Sequence, residues 1–555
     1  MRHLRWAGPA AVVVVAAAGL FAAYLRMARA VTVNSDGASN ALQAWDLFHG
    51  NVLLRGWTLS DVSFYPTELV QYGIIQLVTG VTTEQIHIAA ALSWTLVVCF
   101  AAWLARSAAT SWRSGAVAAG VAVAVLVVPS PGVGYQTLLS SPNHTGSAVP
   151  LLIAWLLIDR ARDRPWLPYA VGAVLAWGAM GDPLITFVGA APLIAVTGYR
   201  TVRARAWRGL DVRLAAAGVG SVVVSHAALW LIEQAGGFRA PRPPIELSPI
   251  EVWADRAGTV SRMLGTLFGT ARPHVQPGWV ETTLQVVRVP GLLLAVVAVL
   301  VTAVAAVRGR ADRVDAVLAA AIVCDLGAEI VSTLPIDLLA TREVAPVLPL
   351  AAVLAARLTA RTLDDRRAPA VERSARPNAP VAEPATRAGS AASPAIGSIT
   401  PPVLVRRFRG AVLAVLPVVL AAQLITLVAY APPQAAPIEG QEAAEWLQDH
   451  GMRYGLGSYW VSNNITVGTS RQVTVVPTLS DHGRLVGMCW QTHTDMYDPA
   501  KHDARFVLLE KHRPMYGTES DVITQYGPPT TRQDFPSYVI FVYGRNLLEG
   551  FATTC

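Results

Sequence analysis

Eleven stretches long enough or nearly long enough to cross a bilayer dominate this chain, near residues 9–25, 86–105, 114–129, 146–158, 167–181, 183–198, 214–232, 289–307, 314–334, 343–359 and 410–430. A hydrocarbon core of ~30 Å asks for about 20 apolar helical residues, because only a helix satisfies its own backbone there. The composition agrees: 53% of residues are hydrophobic, 15% are charged and the mean hydropathy is +0.42. A soluble enzyme, a disordered chain and a fibrous repeat are excluded. The net charge of +7 implies no nucleic-acid partner, since the basic residues sit in short connections between apolar segments. The expected class is a polytopic α-helical membrane protein of about eleven spans.

Charge placement predicts the sides. Dense arginine runs fill Arg106 and Arg113, Arg160 to Arg164, Arg200 to Arg213, and Arg308 to Arg313. The loop 30–66 carries one arginine, Arg55, against Asp36, Asp46 and Asp61. Cytoplasmic loops are the arginine-rich ones. This places the N-terminus inside, and the long loops 30–85 and 234–288 and the C-terminal region outside. The motif Ala28-Arg29-Ala30 is also compatible with a signal-peptidase site, although an uncleaved first helix is the favoured reading.

The division that follows is a transmembrane unit over 1–360, a linker over 361–408, a last span over 409–430 and an extracytoplasmic α/β domain over 431–555. The linker is rich in Ala, Pro, Arg and Ser, too poor in large apolar side chains to fold, so a disordered cytoplasmic spacer is expected. In the last region EGQEAAEWLQDHG reads as an amphipathic helix, and SYWVSNNITVGTS, RQVTVVPT and SYVIFVYG read as strands. Cys489 and Cys555 both fall there, and an oxidising compartment makes a disulfide between them the expectation. Cys99 and Cys324 lie in apolar segments.

Polar residues at the outer ends of the spans are the candidates for chemistry. Asp36, in Asn34-Ser35-Asp36-Gly37, suits a general base, a ligand for a divalent cation, or an N-cap for the helix that follows. Asn143 and His144 precede the fourth span, where a histidine can bind phosphate or shuttle a proton, and a helix cap is the alternative. Glu68 reads as a helix start or a substrate contact, and Asp182 as a turn residue or a substrate contact. Arg342 stands at an outer end, where arginine is disfavoured; a phosphate would account for it, as would pairing with Asp337 or Glu343. Tyr459, Trp460, Asn463 and Asn464 offer the aromatic and amide groups of a sugar-binding surface, or simply a strand core with a polar turn. Asp325 and Glu329, spaced i,i+4 in an apolar span, are what a proton-coupled transporter would carry. His482, His493, His502 and His512 lack metal-ligand spacing.

The first span, the acidic residue opening a long outer loop, the further spans and the terminal α/β domain together resemble the GT-C superfamily, integral membrane glycosyltransferases with polyprenyl-phosphate sugar donors. FYPTELVQYG, the Gly181-Asp182-Pro183 turn and TREVAPVLPLAAVLAAR resemble segments of actinobacterial members and of relatives of the dolichyl-phosphate-mannose transferase group. AAEWLQDHG with GLGSYWVSNNITV resembles their terminal domain. The resemblance implies transfer of a sugar from a lipid-linked donor to a cell-envelope glycan, lipid or protein at the plasma membrane. It casts Asp36 as base or cation ligand, Arg342 and His144 as phosphate-binding, and Asn34, Glu68 and Asp182 as substrate-orienting. The acidic pair common in the family is broken here, because Gly37 follows Asp36. A non-catalytic scaffold or a transporter of envelope synthesis is the alternative function.

Overall fold

The computed structural model describes residues 4–130, 133–161, 164–241, 246–271, 279–334, 337–364, 402–429 and 438–554. Each of the eleven apolar stretches is helical: α1 Leu4–Ala28, α4 Thr83–Arg106, α5 Trp112–Leu126, α7 Ala148–Arg160, α8 Leu167–Gly181, α9 Ala191–Ala204, α10 Leu210–Gln234, α12 Trp279–Val307, α13 Arg313–Val331, α14 Val347–Asp364 and α15 Pro402–Ala429. Five of them, α1, α4, α10, α12 and α15, are long and apolar enough to cross a membrane. A π-helical turn, Thr186–Ala190, leads into α9. The break at Gly181–Pro183 is real: proline disfavours helical backbone at the residue before it, and Asp182 is extended at φ −141° and ψ 113°. Both α14 and α15 run into the predicted linker, which therefore shortens at each end; residues 365–401 lie outside the described residues.

Four further helices belong to the loops: α2 Ser35–Phe48, α3 Glu68–Thr79, α6 Val133–Leu138 and α11 Trp253–Leu267. The first outer loop is thus mostly helical, and it is packed. Gln76 donates to the Ala41 carbonyl at 2.7 Å, holding α3 against α2. Asp46 accepts from Asn51 at 2.6 Å and from the Trp57 indole at 2.9 Å, which fixes the turn after α2.

The C-terminal region folds around six strands in the order β4-β3-β2-β6-β8-β7: β2 Tyr454–Ser458, β3 Thr474–Asp481, β4 Arg484–Gly487, β6 Phe506–Glu510, β7 Thr531–Asp534 and β8 Tyr538–Val542. Strand β2 runs parallel to β3 and β6, and the other pairs are antiparallel. Helices α16 Gln441–Asp449, α17 Tyr459–Gly468 and α18 Glu519–Tyr526 complete it. The helix expected from EGQEAAEWLQDHG and the strands expected from RQVTVVPT and SYVIFVYG are present. SYWVSNNITVGTS is not a strand: after Ser458 it is α17. Its β-branched and aromatic letters pack as a buried helix, where tertiary contacts override propensity. The central strand is instead YGLGS, and Gly455 must be small, since a Cβ there would stand 2.5 Å from the Phe506 ring.

The outer loop and the C-terminal region pack as one body. Strands β1 Trp57–Thr58 and β5 Thr492–His493 pair antiparallel, and Val33 bridges to Ile438. One apolar core joins Ala38, Leu42, Trp57, Leu69 and Tyr72 of the outer loop to Leu447, Val461, Ile465 and Phe506 of the C-terminal region. The helical bundle has its own core, in which Trp94, Trp155 and Val353 are fully buried. At the end of the bundle away from these contacts, fully buried Arg357 binds Asp315, Asp159 (3.2 Å) and Asp312 (3.2 Å), and donates to the Leu104 carbonyl at 3.1 Å. A guanidinium so enclosed is tolerated only with such partners, and it locks α4, α7, α13 and α14 together.

Candidate functional site

Asp36 lies in the first turn of α2, and the cap there is Asn34, not Asp36. The Asn34 Oδ1 accepts from the Gly37 amide at 2.9 Å and satisfies a free N–H of the helix start. The Asp36 carboxylate is left for other work. The Tyr459 hydroxyl donates to its Oδ1, and the Gln491 side-chain amide donates to the same oxygen at 3.2 Å. Both donors come from the C-terminal region. Oδ2 carries no hydrogen bond among the described residues. Burial pushes the carboxyl above its usual range, while the Tyr459 hydroxyl and the Arg342 charge pull it back.

The missing acidic neighbour has a steric cause. A Cβ on residue 37 would lie 2.7 Å from the Ser141 carbonyl oxygen, so glycine is needed where α2 meets the 140s loop. An aspartate or glutamate does not fit there.

A second cluster gathers beside Arg342, whose charge also reaches Asp36. His144 is buried, with Nδ1 2.7 Å from Asp182 Oδ2 and Nε2 2.7 Å from Glu343 Oε2. With a carboxylate on each nitrogen, both nitrogens donate and the ring is an imidazolium. Burial alone would lower its pKa, but Asp182 and Glu343 outweigh that and hold it well above the ordinary value. Burial also opposes ionisation of Glu343, yet the His144 and Arg342 charges bring it down to about 2. Arg342, in the 3-10 turn Leu339–Arg342 ahead of α14, donates from Nε to Glu343 at 3.2 Å and is about half exposed, at 53%. Asp182 also accepts from the Ser147 hydroxyl and, at 2.9 Å, from the Leu184 amide; it is both a turn residue and the partner of His144.

Exposed Asp61 completes the ring of charge. Desolvation and the Glu343 charge raise its carboxyl, while His144 and Arg342 oppose them. Asp325 and Glu329 of α13 are buried, and the charges of His144 and Glu343 reach both, so the transporter-type acids adjoin this same cluster.

Other candidates are placed elsewhere. Asn143 accepts from the His144 amide at 2.8 Å and donates to the Thr137 carbonyl at 2.9 Å, so it shapes the loop. Glu68 starts α3 and is buried under the Thr67 hydroxyl, and burial pushes it up to about 7. Asn463 and Asn464 are buried within α17, and Tyr459 points at Asp36; these residues form no open sugar-binding face. Trp460 stacks under the Arg513 guanidinium at 5.4 Å. No group of three or more His, Cys, Asp or Glu side chains among the described residues is arranged to hold a metal ion. Cys489 donates its amide to Thr554 Oγ1 at 3.1 Å; its expected partner Cys555 lies outside the described residues.

Sequence reasoning missed Gln491, Asp61 and the role of Glu343 between His144 and Arg342. Glu343 was legible as a neighbour of Arg342; Gln491 carries no local signal, because only the docking of the C-terminal region brings it to Asp36.

No model of a known protein family matches the chain, and no curated protein does. Among solved structures it is similar to ArnT from Cupriavidus metallidurans in the apo state, at 13% identity with a TM-score of 0.53, over 99% of each chain. It is also similar to that protein bound to undecaprenyl phosphate, at 14% identity with a TM-score of 0.51, over 96% of this chain and 98% of that one. From end to end, the chain shares the fold of ArnT.

Proposed function

We propose that this chain is a multi-pass plasma-membrane glycosyltransferase that moves a sugar from a polyprenyl-phosphate donor to an extracytoplasmic cell-envelope acceptor. The observation that carries the reading is that the charge of half-exposed Arg342 reaches Asp36, whose Oδ2 has no hydrogen bond among the described residues. The likeness to a protein solved with undecaprenyl phosphate supports the donor class. So does an apolar cavity of about 260 Å³, lined by Val121, Val125, Leu294, Val415 and Leu416, which suits an isoprenoid chain.

The acceptor hydroxyl attacks the anomeric carbon as the bond from that carbon to the phosphate oxygen breaks. The electron pair leaves with the polyprenyl phosphate, whose charge Arg342 meets with a two-pronged donor. The acceptor proton passes to Asp36 Oδ2. A carboxyl raised by burial accepts that proton better than a fully solvated one, because its pKa is closer to the working pH. Attack opposite the leaving group inverts the anomeric configuration. His144 is not a phosphate ligand in this scheme, since both its nitrogens are taken; it holds Glu343, and through it Arg342, in place.

The inside N-terminus, outside C-terminal domain, eleven spans and Cys489–Cys555 disulfide belong to the same proposal. The bond is tested by mass spectrometry of a non-reduced digest, where free thiols at both positions would refute it. The function is tested by reconstituting the protein in liposomes with a panel of polyprenyl-phosphate sugars and envelope acceptors. Transfer from at least one donor is expected; none with any donor would turn the reading toward a scaffold.

A further inference from the structure

Helices α9 and α12 end, and α10 and α13 begin, on the face of the bundle opposite Asp36. The helix directions require this: α13 runs from Arg313 to the Asp325–Glu329 acids of the site, and α10 runs from Leu210 to the segment whose Arg239 amide donates to the Trp57 carbonyl of the outer loop. Between these four ends lies a cleft of about 470 Å³, lined among others by Val196, Tyr199, Arg200, Arg203, Asp211 and Val307.

Its two arginines differ. Arg200 is paired, donating from Nε to Asp211 at 3.3 Å, a carboxylate it shares with Arg313 at 2.5 Å. Arg203 has no carboxylate partner among the described residues. It donates instead to the Arg308 carbonyl at 2.9 Å and the Tyr199 hydroxyl at 3.1 Å. Those bonds fix the guanidinium without cancelling its charge. Gly309, at φ +69°, makes the approach possible, since a Cβ there would stand 2.3 Å from Arg203 Nε. Exposed Arg205, Arg208, Arg308 and Arg310 add to the positive field.

The α12 surface leading from the cleft toward the middle of the bundle is apolar and uncovered: Val307 at the mouth is 73% exposed, and Val304, Leu300 and Val297, successively further in, are 50%, 61% and 49% exposed. A positive cleft continuous with an uncovered apolar surface matches a molecule with a phosphate at one end and hydrocarbon at the other. A soluble anion would gain nothing from the valines. We propose that this cleft seats the phosphate headgroup of an anionic phospholipid, with its acyl chains along Val307, Val304 and Leu300. Basic pockets between membrane helices hold such headgroups, each arginine near the surface contributing about a fivefold gain in binding.

The test uses the full chain in mild detergent, incubated with palmitoyl-oleoyl phosphatidylglycerol or with phosphatidylcholine of the same chains, and read by native mass spectrometry. Phosphatidylglycerol should be retained at least about fivefold better, and Arg203→Gln should cut that retention by about fivefold. Arg55→Gln, in the outer loop, should change nothing. Glycerol 3-phosphate at equal concentration should not displace the lipid. Equal retention of the two lipids by the wild-type protein would overturn the proposal, and that comparison needs no variant. Full retention by folded Arg203→Gln would also overturn it, and displacement by glycerol 3-phosphate would show a soluble-anion site instead. Sugar transfer enters none of these readouts, so the outcome is independent of the proposed activity.

Discussion

Removing one oxygen atom from the C-terminal region should retune the base in the outer loop. Tyr459→Phe keeps the ring in α17 and deletes only the hydroxyl that donates to Asp36 Oδ1. That hydrogen bond favours the ionised carboxylate, so its loss raises the Asp36 pKa further in the direction burial already drives it. A hydrogen bond to a charged group is worth about 1.5–3 kcal/mol. At ~1.4 kcal/mol per pKa unit, that is roughly one to two units. Gln491 still donates to the same oxygen at 3.2 Å, so the lower end, about one unit, is expected. The assay is the pH dependence of kcat/KM for sugar transfer, whose acidic limb reports the base in the free enzyme. The limb should move about one unit toward higher pH, with the rate preserved on the alkaline side. An unmoved limb, or an even loss at every pH, would refute the reasoning; the second result would mean that Tyr459 only supports the fold.

Three more expectations concern individual residues. Glu68 is raised from 4.5 to about 7 by burial, so the folded state holds its proton more tightly than the unfolded one. The resulting stability is present below the unfolded value and is lost as pH rises through about 7. Glu68→Gln should therefore raise the Tm at pH 8 and leave it nearly unchanged at pH 4; an equal effect at both would contradict the assignment. Gly37→Ala places a Cβ 2.7 Å from the Ser141 carbonyl and should cost about 1–3 kcal/mol of stability, visible as a lower Tm. An unchanged Tm would show that the loop gives way freely. Arg342→Ala should raise the donor KM by about tenfold or more while Arg342→Lys recovers part of it, because only the guanidinium grips phosphate with two parallel bonds. A loss in kcat alone, with donor KM unchanged, would remove Arg342 from phosphate binding.

The helical bundle was legible because a hydrocarbon environment leaves the chain few options: each apolar stretch had to be a helix, even the pair broken at Asp182. The C-terminal region was legible only in part. Strands β3 and β8 carry alternating or continuous β-branched residues, but β2 is Tyr-Gly-Leu-Gly-Ser and has no strand signature; its place is set by close packing on Phe506. The helix α17 was mistaken for a strand for the converse reason. In the site, Asp36, His144, Asp182 and Arg342 stood out as polar residues at span ends. Their partners are remote in sequence: His144 meets Asp182 across 38 residues and Asp36 meets Tyr459 across 423, distances no local pattern encodes. Tyr459 was singled out for a sugar surface and found instead against Asp36, because its helix docks on α2.

The central claim is that Asp36 takes the acceptor proton, and Asp36→Asn tests it most directly. Asparagine keeps the volume and the acceptor oxygen for Tyr459, and Asn34 supplies the cap, so the fold should survive. The base is lost. Transfer from the polyprenyl-phosphate donor that the wild-type protein uses should fall by ~10²-fold or more, the usual share of positioned acid–base catalysis, with donor KM little changed. A folded Asp36→Asn protein that transfers sugar at the wild-type rate would contradict the account.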